Sequence, residues 1–312
     1  MSNTPKTHRM QASTKMLLSS VLAAVPMTLG VVGSAKASID LGAAGQFTVF
    51  SLSGTQDNFG SGKVTGTFGI GSKGNLNIGG TSSITDGLTL NEDGTSSNNA
   101  TYTRSGTAST GVVSYENLDA AVTSATSDST TFSALTPTQA FGNINLGGSS
   151  TQTITATPGE NVNVIDVSSI TLGASAVLTL SGSASTEFII NDPGVFNMGG
   201  SSQLLLTGGL TENNVVFNLT ESGGGASTVQ LAGEHAYGIY LAPKADVLVD
   251  PGIVYGQVIA GGGTLSINSG AQVIAPPITS VPTPATLSLL GTGLLGLGLI
   301  ALRKRRLAPL SR

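Results

Sequence analysis

Thr151, Thr153, Thr155 and Thr157 alternate with Gln152, Ile154 and Ala156. In a strand, alternate side chains share a face, so these hydroxyls would align at intervals of about 6.6–6.8 Å. Such a ladder of hydroxyl and methyl groups is a candidate ligand face for an ordered lattice such as ice, or for a polysaccharide. Threonine is also an ordinary choice for a solvated strand face. Glu234-His235 sets a carboxylate beside an imidazole, the components of a polarised nucleophile, but a glycine-flanked pair of this kind is usually solvated. With His8 in the N-terminal leader, His235 is alone in the body, so one chain cannot build a multi-histidine metal site. Asp246 and Asp250 fall well short of the six to eight oxygens that calcium takes, and no Gly-Gly-x-Gly-x-Asp array accompanies them. Gly261-Gly262-Gly263 lacks the lysine and hydroxyl of a phosphate loop. The residues therefore predict no catalytic group, no metal and no cofactor: a protein that is not an enzyme.

The elements that position these residues are short. Val177-Leu178-Thr179-Leu180, Phe188-Ile189-Ile190, Val195 to Met198, Leu204 to Leu206, Val215 to Leu219, Val229 to Leu231, Gly238 to Leu241, Val247 to Val249, Gln257 to Ala260 and Leu265 to Ile267 recur roughly every ten positions. Between them lie loose connectors such as Ser181-Gly182-Ser183-Ala184-Ser185 rather than tight hairpin turns. This pattern predicts a mainly β protein, a parallel β-solenoid with a β-sandwich as the alternative. One segment departs from it. Ser114 is placed to cap a helix from Tyr115 towards Phe132, near 114–133, with Leu118, Ala121, Val122 and Ala125 on one face. Such a helix would lie along the solenoid and cover an apolar face.

Both ends carry addressing signals. Lys6, Arg9 and Lys15 precede an apolar stretch from Met16 to Val32, and Ala35-Lys36-Ala37 has the small-x-small form of a signal-peptidase site, which predicts a signal peptide over 1–37. At the other end, Val281-Pro282-Thr283-Pro284 precedes an apolar run over 285–302, followed by Arg303-Lys304-Arg305-Arg306. A run of about 18 residues makes a helix about 27 Å long, enough to span a bilayer as a transmembrane helix, and the basic cluster should stay on the cytoplasmic side. The reading is an exported body over 38–277 and a sorting segment over 278–312. That body holds all 17 acidic residues against Lys63, Lys73, Arg104 and Lys244, a formal balance of −13 from four cations and 17 anions. It should repel nucleic acid. The chain has no cysteine and no tryptophan, which excludes disulfides, thiolate metal sites and tryptophan sugar platforms.

The tail resembles the PEP-CTERM sorting signal of Gram-negative bacteria, with Thr283 where that family has glutamate. The resemblance implies passage through the Sec translocon, cleavage by signal peptidase and recognition by an exosortase-like enzyme at the inner membrane. The expected destination is the cell surface or the extracellular space. Asn213 to Leu219, Gly238 to Val247 and Ile253 to Gly261 are similar to the choice-of-anchor A domain of bacterial surface proteins. The overall plan is more distantly similar to bacterial ice-binding β-solenoids, with a Leu-Gly-rich entry strand over Leu41 to Phe50, then coils, one helix and more coils. None of these resemblances supplies a catalytic residue. The leading expectation is a structural or adhesive surface or matrix protein, with an exopolysaccharide as a partner. The alternative is a ligand-binding β-solenoid for ice or glycan.

Overall fold

The computed structural model describes residues 38–53, 56–220 and 228–276. Every ladder among them is parallel. That is the solenoid of the sequence reading and not the sandwich, whose sheets are built from antiparallel pairs. Each coil lays one strand on each of three faces. Along the axis, the first face runs Gln139–Ala140, Val162–Asp166, Glu187–Asp192, Val215–Leu219, His235–Ala242, Ile253–Ala260, Val49–Ser53, Thr67–Ser72, Gly87–Asn91 and Val113–Glu116. The second runs Asn143–Leu146, Ser169–Leu172, Phe196–Met198, Thr228–Leu231, Asp246–Val249, Leu265–Asn268, Gln56–Gly60, Asn75–Gly79 and Thr101–Arg104. The third runs Thr151–Thr155, Val177–Ser181, Gln203–Thr207, the first residues of His235–Ala242 and of Ile253–Ala260, then Gln272–Ile274, Lys63–Thr65 and Ser83–Ile84.

Sequence order and spatial order differ. Val49–Ser53 lies in mid-stack, paired on one side with Thr67–Ser72 and on the other with Ile253–Ala260. From there the chain winds to one end, at Val113–Glu116. It restarts at the opposite end with Gln139–Ala140 and winds back until its last coil meets its first. The link between the two ends is the helix α1, Asp119–Ser133.

The alternation of apolar and polar residues fills the interior. Leu178 and Leu180 point inward while Thr179 between them does not, and the same holds for Leu76 and Ile78 around Asn77. Phe196, Phe217 and Tyr240 pack at the centre, with the Phe217 and Tyr240 rings stacked at 5.1 Å and Phe196 set edge-on to both. The first face is apolar on both sides. Its outward residues Phe50, Val216, Ile239 and Ile259 are buried beneath α1, which contributes Ala121 and Ala125, together with Leu118 just before its first turn. The helix thus covers an apolar face, as its periodicity predicts.

Two boundaries differ from the sequence reading. The helix starts at Asp119, not near 114, because Val113 and Tyr115 join the ladder beside Leu88 and Leu90. Ser114 shares a hydrogen bond with Thr89 at 3.1 Å instead of capping, and the Asn117 side chain accepts the Asp119 N–H at 2.9 Å. The expected entry strand at Leu41 is a 3-10 turn over Gly42–Gln46, with the strand beginning at Val49. Asp40 accepts the Gly42 N–H, and the positive φ of Gly42 (52°) breaks the extended chain.

Asp128 on α1 is partly buried near Asp40. Burial first, and the Asp40 charge second, hold its carboxyl above the usual carboxylate range. A raised folded pKa means the native state prefers the protonated acid, so ionisation near neutral pH costs stability. Asp128→Asn is therefore expected to raise the melting temperature at pH 7. The gain should fade as pH falls through Asp128's folded pKa and be gone below about 3.9, where the unfolded chain is protonated too. Melting curves across that range are the check, and an unchanged or lowered melting temperature at pH 7 would count against it.

Candidate functional site

The threonine ladder lies on the third face at the outermost coil. Thr151, Thr153 and Thr155 are exposed on Thr151–Thr155, and Ile154 is buried beneath them. Thr157 does not belong with them. It follows the strand, where its N–H donates to Asn163 Oδ1 at 2.6 Å and its hydroxyl accepts from Gln139 Nε2 at 3.2 Å.

The hydroxyl surface continues at Thr179 and Ser181, and beyond Ser181 at the exposed Thr207, while the row through Thr179 gives way. In register beyond Thr179 come Leu205, Tyr237, Tyr255 and Ile274 before Thr65. The Tyr237 and Tyr255 rings stack on each other at 4.6 Å, so they stand upright from the sheet and cover each other's faces. Burial, followed by the neighbouring Tyr255 and Glu212, pushes the Tyr237 hydroxyl pKa up. The central row of the third face is thus half-buried and apolar with hydroxyls at its ends, flanked by a mixed row through Gln203, His235 and Gln272, and Thr157 stands apart from the other three threonines.

The other chemical candidates are absorbed by structure. His235 Nε2 is 3.9 Å from Glu234 Oε1, and Gln203 donates to the other oxygen of that carboxylate at 3.3 Å. Asp246 accepts the Thr264 N–H at 2.9 Å, which latches a corner. No group of three metal-ligating side chains occurs among the described residues. A Cβ at Gly262 would overlap Ala245 and the Lys244 carbonyl, so this glycine serves the packing of a corner. Ala35 and Ala37, Val281, Pro282, Thr283 and Pro284, the apolar run over 285–302 and Arg303, Lys304, Arg305 and Arg306 lie outside the described residues. Among the described residues no helix is long and apolar enough to cross a membrane.

The second face carries a more regular surface. One unbroken outward row runs through its nine strands: Asn145, Thr171, Asn197, Gln230, Leu248, Ser266, Asn58, Asn77 and Thr103. Apart from Leu248 each is an amide or a hydroxyl, and none is charged. At about 4.8 Å per strand the row is roughly 38 Å long. Its far end is reinforced by Thr103, which donates to Asn77 Oδ1 at 2.7 Å, and by Gln56, Asn75 and Thr101 in the next outward row. A shallow depression there is lined by Asn58, Asn77, Thr103, Ser105 and Asn268.

The sequence contained a signal for this row. Six of its nine members are the centres of apolar-polar-apolar triplets, such as Ile144-Asn145-Leu146, Phe196-Asn197-Met198 and Leu76-Asn77-Ile78. Neutral amides both donate and accept hydrogen bonds. Held at fixed intervals on a rigid sheet, they suit a partner that repeats hydroxyl groups along a line.

Residues 29–273 match the family described as "Putative Ice-binding-like adhesive domain". No curated protein matches the chain. Several solved structures share its fold, two of them as follows. One is a glycosylated ice-binding protein (LeIBP) from an Arctic yeast, 18% identical, covering 79% of this chain and 96% of its own, with a TM-score of 0.51. The other is an ice-binding protein from an Antarctic biological consortium, 17% identical, covering 78% of this chain and 93% of its own, also with a TM-score of 0.51.

Proposed function

The chain belongs to the ice-binding-like adhesive domain family, and on that premise we propose that it is a ligand-binding β-solenoid whose second face adheres to an extended, hydroxyl-rich surface. The observation that carries this reading is the uncharged amide and hydroxyl row across nine in-register strands. A single neutral hydrogen bond contributes only about 0.5–1.5 kcal/mol net, so such a row binds usefully only when many contacts form together. A repeating partner meets that condition and an isolated small molecule does not. This supports ligand binding ahead of the purely structural role and agrees with an adhesive one.

Of the two ligand classes, a neutral glycan fits better. Amides can engage neighbouring sugar hydroxyls, and the unequal lengths of Gln230, Leu248 and Ser266 roughen the plane that an ice lattice would require. The body's charge of −13, four cations against 17 anions, disfavours acidic polymers and nucleic acid. Ice is the second reading, favoured by the family description. No catalytic step or cofactor enters this function.

The addressing signals complete the proposal. Residues 1–37 direct export and are removed by signal peptidase, the body spans 38–277, and 278–312 is a PEP-CTERM-like sorting segment. An exosortase-like enzyme processes it at the inner membrane before the protein reaches the surface. The choice-of-anchor A likeness of the C-terminal coils fits the same destination. Fold geometry supports such presentation. Ile39 bonds to Asn213 and Ala275 to Thr65, so both ends of the described body leave from the edge between the first and third faces. A tether there leaves the second face free.

The test compares the full chain in mild detergent with two paired variants, Asn77→Lys with Asn197→Lys on the second face and Thr153→Lys with Thr155→Lys on the third. Retention on a neutral polysaccharide matrix and shaping of ice crystals are read in parallel. The second-face pair is expected to weaken retention by about tenfold or more, roughly 1.4 kcal/mol, while the third-face pair retains wild-type binding. Ice shaping without retention would transfer the proposal to ice. Neither activity in the wild type, or loss in the third-face pair alone, would refute it.

A further inference from the structure

The two ends of the solenoid are matched to each other. At one end the outer edges of Thr101–Arg104 and Val113–Glu116 pair with no strand among the described residues. At the other, the same is true of Gln139–Ala140, Asn143–Leu146 and Thr151–Thr155. Free edges are normally blunted by charge or proline. Asn143–Leu146 and Thr151–Thr155 contain neither, and the opposite edges carry a single charge each, Arg104 and Glu116, at their last residues. At the first of these ends the interior is uncovered as well. Tyr115 stands in register with Leu90, a core residue 1% exposed, yet is itself 56% exposed because no further coil lies over it.

Two rows can be followed through every coil without a break, one from Val113 to Gln139 and one from Thr103 to Asn145. A second copy laid against the free end in this same register places its Phe141 over Tyr115 and its Ile144 over Tyr102. Phe141 and Tyr102 are both partly buried residues packed against the main core. The exposed Tyr115 and half-buried Tyr102 thus meet the half-buried Phe141 and the edge of Ile144, itself 3% exposed, while the same register sets the Arg104 stem over Leu146. All three ladders run parallel, so the strand direction is also correct.

We infer that copies of this chain stack head to tail through these end coils, extending the solenoid from one molecule into the next. The contact is heterologous and does not close, so it generates a filament rather than a dimer. The second-face row then passes from Thr103 of one copy to Asn145 of the next. Only this last consequence rests on the proposed ligand face, because assembly follows from the edges alone.

The full chain in mild detergent, which shields the apolar run near its C-terminus, is measured by light scattering and negative-stain electron microscopy over a range of concentrations. Unbranched rods one solenoid wide, lengthening with concentration, are expected. Tyr115→Asp blocks one end and Phe141→Asp the other, so each alone should be a single copy. Mixed in equal amounts, they should form pairs and nothing longer, since one free end of each kind remains. Circular dichroism checks folding. If Phe141→Asp loses its β signal, Ala140→Asp replaces it at an exposed position of the same edge. A wild type that stays a single copy throughout would overturn the inference. So would folded variants that fail to pair.

Discussion

Gly256→Ala should be among the most damaging single methyl groups that can be added to this protein. Strands His235–Ala242 and Ile253–Ala260 each run from the third face onto the first without interruption, and each turns the corner at a glycine, Gly238 with φ 131° and Gly256 with φ 139°. The two glycines are paired in adjacent coils. A Cβ on Gly256 would overlap the Gly238 carbonyl, a backbone group already fixed by its own ladder. The φ penalty alone is about 1–3 kcal/mol, and relieving the overlap must separate two coils at the centre of the stack, which brings the expected loss to about 4 kcal/mol or more. Gly270→Ala is the matched control. Its φ of 82° is also left-handed, but a Cβ there meets nothing within 4 Å. It should show the backbone penalty without the overlap. Chemical denaturation of both variants separates the two contributions, and equal losses would remove the corner from the explanation.

These corners also explain what could be read from the sequence and what could not. Strand positions were legible because inward residues such as Leu178 and Leu180 alternate with outward ones over a few positions, and that local period survives any stacking. The order of the coils was not legible. Register advances by 18 residues from Leu248 to Ser266 but by 26 from Ile144 to Ile170, so no fixed repeat announces which strands are neighbours. Nothing local indicates that Val49 lies beside Val258.

Which outward residues share a face was hidden for the same reason. Thr151 to Thr155 stand out because they are adjacent in sequence, whereas Asn145, Asn197 and Asn77 become one row only after coils far apart in the chain have been stacked. Thr157 has the right spacing but lies past the end of its strand, where Asn163 takes its N–H. The helix face was visible in Leu118, Ala121 and Ala125. Its start was not, because residues 113–116 continue the ladder beside Gly87–Asn91 and delay the helix to Asp119.

The polar contact beneath that helix should account for the second large effect. Asn218 is fully buried between α1 and the first face. Its carbonyl accepts from the Ser129 hydroxyl at 2.6 Å, and its amide lies within 2.9 Å of Ser129 O, Ser133 Oγ and Asn191 Oδ1. Asn191 in turn donates to Phe132 O at 3.0 Å, so two asparagines in adjacent coils fasten the last turn of α1 to the sheet. Asn218→Ala would leave at least one donor and one acceptor buried without partners, at about 1–3 kcal/mol each, for an expected loss of about 2–4 kcal/mol. The loss should be concentrated in the helix. Amide exchange is expected to accelerate across Asp119–Ser133 before it does in Val247–Val249 or Leu76–Ile78, and Ser129→Ala combined with Asn218→Ala should cost less than the sum of the two. Since α1 covers the first face and ligand is proposed to meet the second, polysaccharide retention should survive the substitution at temperatures where the coils remain folded. A melting temperature indistinguishable from wild type, or uniform loss of protection across all three faces, would show that Asn218 is not what holds the helix down.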